Sequence, residues 1–197
     1  MLAIVLTGCS GDDGSQGPPG PPGTNVGVAS VSTATALTID INSVTINSAP
    51  VVNFTVKNQD GVAVTGFADS DLRFNIAKLV PGTPSKWQDY IYRASGGVYG
   101  NQERSTTSTG YRFGTLVDHK DGTYTYTFKT DITNPADIVC PSPCTDADGT
   151  ALDLSYQPGL THRVSIQQGN SAYPRYNAAY DFVPAGGAVT TTRDIVT

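Results

Sequence analysis

Thr123-Tyr124-Thr125-Tyr126-Thr127-Phe128 places an aromatic ring at every second position, and residues two apart on an extended chain lie on one side of it. A helix would scatter those rings around its axis, whereas a strand gathers Tyr124, Tyr126 and Phe128 on a single face turned to a core. The same period recurs along the chain. Leu37, Ile39 and Ile41 alternate with Thr38, Asp40 and Asn42, and Val44-Thr45-Ile46 continues the pattern. Val52, Phe54 and Val56 share a face, as do Leu72, Phe74 and Ile76. Trp87 and Tyr90-Ile91-Tyr92 predict a further strand, with one helical turn over 85–93 as the other option. Val164 and Ile166 alternate within Thr161 to Gln167, and Tyr180-Asp181-Phe182-Val183 runs up to Pro184. Between these runs stand Asp60-Gly61, Pro81-Gly82 and Asp121-Gly122, residue pairs that favour reversals. About eight strands separated by turns predict an all-β fold over residues 37–185: an antiparallel β-sandwich of immunoglobulin-like type, or a related Greek-key barrel.

Composition removes the alternatives. Of 17 acidic residues only Glu103 is Glu, there is one Met, and Gly and Pro together number 34 of 197 residues. Helix-favouring residues are therefore scarce and turn formers abundant, which excludes an all-α fold and a doubly wound α/β fold with its crossover helices. The net charge of −5 and the lack of any Lys/Arg run argue against a nucleic-acid partner.

The N-terminal stretch carries a signal of location. A short apolar run leads into Leu6-Thr7-Gly8-Cys9, the form of a bacterial lipoprotein cleavage site. Residues 1–9 thus read as a partial lipoprotein signal with Cys9 the lipidated residue, although the basic n-region of a complete signal is missing. Gly-X-Y triplets follow from Gly11 to Asn25, too few for a collagen helix and suited to a polyproline-like spacer. Residues 10–36 are read as a disordered tether, and residues 186–197 as an extension beyond the sandwich.

Candidate chemistry is sparse. Cys140-Pro-Ser-Pro-Cys144 is the one paired-cysteine site, and in an exported chain a small disulfide ring is the first choice. Asp146-Ala-Asp148-Gly149 with Asp153 has a faint likeness to a calcium loop, but a third oxygen ligand and the closing Glu are missing. His119 and His162 are the only histidines and belong to no local catalytic motif, so no catalytic residue is assigned and the chain is not read as an enzyme. Ten Tyr and one Trp are read as core or strand surface before a ligand platform. Two polar stretches, Ser95 to Gly110 and Pro135 to Gly159, exceed the connections a minimal sandwich needs and are read as exposed insertions.

The stretch from Ile41 to Arg93, then GTLVDHKDGTYTYTF, LTHRVSIQQG and AAYDFVPAGGAVTTTRDIVT, resembles the N-terminal region of the OmcA/MtrC-type decahaem cytochromes of the bacterial outer surface. In that family an Arg-Asp-Ile-Val run stands just before the first haem-attachment motif. The resemblance implies a haem-free N-terminal β-domain of a cell-surface cytochrome used in extracellular electron transfer, with a structural, docking or shielding role. It implies an outer-membrane lipoprotein whose partners are the membrane, through the lipid anchor, and haem domains of the same full-length protein or an outer-membrane electron conduit. Haem c is expected only in a part beyond Thr197, since this sequence holds no Cys-x-x-Cys-His and hence no cofactor site of its own. The rival reading is a stand-alone surface lipoprotein acting as an adhesion or glycan-binding module.

Overall fold

The computed structural model describes residues 27–94, 98–100, 102–103, 113–140, 142–146 and 148–189. Its strands are β1 (Ala29–Ser30), β2 (Leu37–Thr45), β3 (Val51–Asn58), β4 (Val64–Thr65), β5 (Leu72–Val80), β6 (Lys86–Asp89), β7 (Tyr92–Ala94), β8 (Val98–Gly100), β9 (Thr115–Asp118), β10 (Thr123–Thr127), β11 (His162–Gln168) and β12 (Asn177–Phe182). Two 3-10 turns, Val31–Thr33 and Pro135–Asp137, are the only helical segments among the described residues. Two four-stranded antiparallel sheets, ordered β2-β3-β10-β9 and β12-β11-β5-β6, face each other as a β-sandwich rather than a closed barrel.

Registers follow from the alternation. Phe54 pairs with Tyr124 and Val52 with Tyr126 across β3 and β10, while Phe74 pairs with Ile166 and Ile76 with Val164 across β5 and β11. Each sheet thus turns one row of large apolar residues inward. The rows meet where Phe74 stacks on Tyr126, ring centroids 3.6 Å apart, with Phe54 5.9 Å from Phe74. The β9–β10 hairpin turns at Gly122, whose φ is +87° and whose missing Cβ would stand 2.6 Å from that of Ala63. Val44 and Thr45 continue β2, whose pairing with β3 shifts register between Ile41 and Ser43. The helical option over 85–93 is not taken, because β6 pairs with β5 through Asp89.

Three boundaries differ from the sequence reading. Residues given to the tether belong to the packed body: β1 pairs in parallel with β4, and Val31 is only 2 % exposed in the core. The last strand begins at Asn177 rather than Tyr180, and Ala178 lies buried opposite Ile166. The two polar insertions are also not simple exposed loops. Val98–Gly100 pairs with β7, and Glu103 exchanges backbone hydrogen bonds with Phe74, 2.7 and 2.9 Å. In the second, Ile138 enters the core, and Leu152, Leu154 and Tyr156 pack against it. These few apolar residues in polar surroundings hold the segment against the core.

Candidate functional site

Two buried polar clusters interrupt the apolar core, and both draw on the insertions. The first lies at the end of the β12-β11-β5-β6 sheet. Alternation along β5 carries the inward face from Leu72, Phe74 and Ile76 to Lys78, which pairs with His162 of β11; His162 in turn pairs with Phe182 of β12. Lys78 is 0 % exposed. Its ammonium donates to the carbonyls of Asp153 and Ser155, each at 2.7 Å, and lies 5.5 Å from the centroid of the Tyr90 ring. Gln88 Nε2 donates to the same Asp153 carbonyl at 2.6 Å. The insertion therefore serves as solvent for a charge that would otherwise be very costly to bury. Burial lowers the Lys78 pKa from its ordinary value, with the Asp153 carboxylate acting in the other direction.

Tyr90 and His162 complete this cluster. The Tyr90 hydroxyl stands 3.1 Å from His162 Nε2, and His162 Nδ1 is 2.9 Å from the Leu160 carbonyl. A carbonyl only accepts, so Nδ1 carries the proton and the neutral ring offers Nε2 as acceptor to the Tyr90 O–H. The two rings are nearly parallel, 8° apart in plane, with Tyr156 edge-on to the imidazole. Burial lowers the His162 pKa, the Leu160 hydrogen bond opposes that shift, and the Lys78 charge adds to it. Burial also pushes the Tyr90 hydroxyl far up, so it stays protonated.

The second cluster is organised by Glu103, the single Glu of the sequence, which is 0 % exposed. One carboxylate oxygen accepts from the Thr130 amide at 2.9 Å and the Thr130 hydroxyl at 2.5 Å. The other accepts from the Lys129 amide at 2.7 Å and the Tyr126 hydroxyl at 3.3 Å. Three donors from the chain just after β10 and the Tyr126 hydroxyl of β10 itself thus converge on a residue of the first insertion. Gly114 completes the wall: its amide donates to the Tyr126 hydroxyl at 3.1 Å, and a Cβ there would stand 2.0 Å from the Thr127 carbonyl oxygen.

On the outer face of the same sheet as Lys78, Arg163 and Asp181 form a two-bond ion pair at 2.5 and 2.6 Å. The guanidinium also lies 4.6 Å from the Trp87 ring centroid. Nearby, burial raises the Asp89 pKa to about 6, against a hydrogen bond from Asn75 that favours the charged form.

Among the residues singled out from sequence, Cys140 and Cys144 are joined in a disulfide with Cα atoms 5.6 Å apart. Asp146 and Asp148 come together on the Lys86 ammonium at 3.5 and 2.5 Å, so a lysine occupies the place a cation would take. Asp153 stands apart from them, accepting from the Ser155 amide at 2.9 Å and from Gln157. Among the described residues no group of three or more His, Cys, Asp or Glu is arranged to hold a metal ion. His119 bonds Thr125 on the exposed face of the other sheet. Cys9 and the Gly-X-Y segment lie outside the described residues, and no described helix is long and apolar enough to cross a membrane. Sequence reasoning missed Lys78, Tyr90 and Glu103 as polar core groups. Extending the β5 alternation by one step would have exposed Lys78.

A pH dependence follows from His162 and Asp89, and they act with opposite signs. His162 protonates below its ordinary 6.5 when folded, so its contribution to stability is complete above that pH and is lost as pH falls toward the folded value. Asp89 protonates near 6 when folded but at 3.8 when unfolded, so stability is gained as pH falls through that interval. Urea midpoints measured from about pH 7 to pH 4 should fall more steeply in Asp89→Asn than in the parent chain. In His162→Gln they should rise on acidification in this range. Parallel profiles in all three proteins would refute both assignments.

Comparison with known proteins places this architecture. The chain is similar to the multiheme cytochrome MtrC of Shewanella baltica (strain OS185), at 32 % identity over 167 aligned positions, covering 78 % of this chain and 21 % of that protein. The solved structure of the outer membrane decaheme cytochrome OmcA superimposes with a TM-score of 0.60 at 25 % identity, over 84 % of this chain and 26 % of that one. MtrC from Shewanella baltica OS185 superimposes with a TM-score of 0.56 at 27 % identity, over 81 % of this chain and 24 % of that one. The chain thus spans about a fifth of the curated relative and about a quarter of the solved chains. No protein-family profile matches it.

Proposed function

Because the chain is a relative of the OmcA/MtrC multihaem cytochromes that matches one part of them, we propose that it is a haem-free β-domain serving a cell-surface electron-transfer cytochrome. Its role is to support, dock or shield a haem-bearing neighbour and not to carry electrons over distance itself. The observation that carries this reading is the cysteine inventory. A relative named for many haems matches a chain whose three cysteines include no Cys-x-x-Cys-His, two of them being joined to each other. Covalent c-type haem needs two thiols next to a histidine ligand, and here the pair is spent. The Leu6-Thr7-Gly8-Cys9 sequence supports lipid anchoring at Cys9, which would put the sandwich at the outer membrane surface.

The test has two parts. The chain, expressed together with the c-type haem attachment machinery, is expected to show no Soret absorption and no pyridine haemochrome. It is then mixed with MtrC of Shewanella baltica lacking its matching segment, and the two should co-elute on size exclusion. A covalent haem on the chain would overturn the haem-free reading; separate elution at high micromolar concentration would overturn the docking role.

A further inference from the structure

We propose that Tyr90 and His162 form a proton-coupled redox site: Tyr90 gives up one electron to a radical-type one-electron oxidant while its hydroxyl proton passes to His162 Nε2. The phenolic O–H bond breaks, an N–H bond forms on the imidazole, and the oxidant is reduced by one electron. The products are a neutral phenoxyl radical and an imidazolium. Transfer of one electron from a hydroquinone-type reductant to the phenoxyl radical, with return of the same proton from His162 Nε2 to the phenolic oxygen, restores the pair.

The geometry supports this in three ways. First, the proton has a short path, since the hydroxyl and Nε2 are 3.1 Å apart, within the range in which a positioned base takes a proton. Second, the tautomer is set by the Leu160 carbonyl on Nδ1 at 2.9 Å, which also stabilises the imidazolium once formed. Third, the site is closed to water: Tyr90 is 1 % and His162 0 % exposed, so the proton stays with the pair rather than escaping to solvent. Half-buried Tyr156, edge-on to His162 with centroids 5.7 Å apart, links the pair toward the surface.

The other buried tyrosines lack this arrangement. The Tyr124 hydroxyl donates to the Val64 carbonyl, which is not a base. The Tyr126 hydroxyl faces Glu103, whose carboxylate already accepts from Lys129 and Thr130. Among the described residues Tyr90 is the tyrosine with a nitrogen base on its hydroxyl. The groups facing the pair are Lys78, Tyr156, Phe182, the Leu160 carbonyl, the Gln157 backbone amide, which hydrogen-bonds the Tyr90 hydroxyl, and, acting on Tyr90 through space, Asp153 and Tyr92. Of these the Lys78 ammonium opposes positive charge on His162.

The experiment generates azide radicals by pulse radiolysis in solutions of the intact chain and reads the phenoxyl radical by transient absorption and by electron paramagnetic resonance after freeze-trapping. The parent chain should form a hydrogen-bonded phenoxyl radical more slowly in D2O than in H2O. Tyr90→Phe should abolish that signal. His162→Gln keeps an acceptor for the hydroxyl but cannot hold its proton, and should slow radical formation about a hundredfold. An unchanged signal in Tyr90→Phe, or unchanged kinetics in His162→Gln, would overturn the proposal. If either variant fails to fold, the parent chain decides: a radical without an exchangeable hydrogen-bond coupling and without a solvent isotope effect refutes the site.

Discussion

Replacing Glu103 with Ala is expected to cost about 4 kcal/mol of unfolding free energy, the range found when one partner of a buried charged network is removed. Four donors meet the carboxylate in a site with no solvent exposure, and Ala removes the acceptor of the Lys129 and Thr130 backbone amides. Glu103→Gln separates charge from shape. Whichever way the amide is set, its NH2 group faces either the Lys129 or the Thr130 backbone N–H, so a loss of about 3 kcal/mol is expected in spite of the preserved volume. Urea unfolding at constant m-value measures the loss. Hydrogen exchange adds a local signature, since the Lys129 and Thr130 amides should lose protection beyond the global change. A loss below about 1 kcal/mol for Glu103→Ala would show that the network contributes little.

Lys78 should respond differently to two truncations. Lys78→Ala removes the donor to the Asp153 and Ser155 carbonyls and opens a cavity, for an expected loss of about 3 kcal/mol. Lys78→Met fills most of that space and abolishes the cost of burying an ammonium, so global stability should change by less than about 1 kcal/mol. Both variants should nevertheless free the second insertion, seen as faster amide exchange over residues 153–160 and faster proteolysis there. Equal global losses in the two variants would mean that the charge, not the packing, dominates at this position.

These two residues also show where sequence legibility ended. The paired rows of the sandwich were readable because burial on one face imposes a period of two, which β3 and β10 repeat along their length and β2, β5 and β11 over part of theirs. The disulfide pair lies five positions end to end and needs no tertiary information. Glu103 could not be found in that way, and the same alternation turns Lys78 inward without revealing what it bonds. Their partners lie 23 to 27 and 75 to 77 positions away, and what they bond is largely backbone, which leaves no side-chain signature. A lone Glu among Asp residues was a compositional oddity with a structural reason: the longer side chain reaches across from β5's edge to the backbone after β10. The insertions were misjudged for the same cause. Their polar composition suggested exposure, while a handful of apolar residues and carbonyls packed them down.

The parallel pairing of β1 with β4 carries a mechanical consequence. Tension arriving through the N-terminal side and directed along β1 loads the Ala29–Ala63 hydrogen bond in shear, together with its neighbours in that ladder, instead of unzipping them one by one. Val31, wedged in the interior just behind, acts as a stop that must be extracted before the pull reaches β2. Drag on the body would therefore meet a built-in strain relief before any strand of the main sheets is stressed.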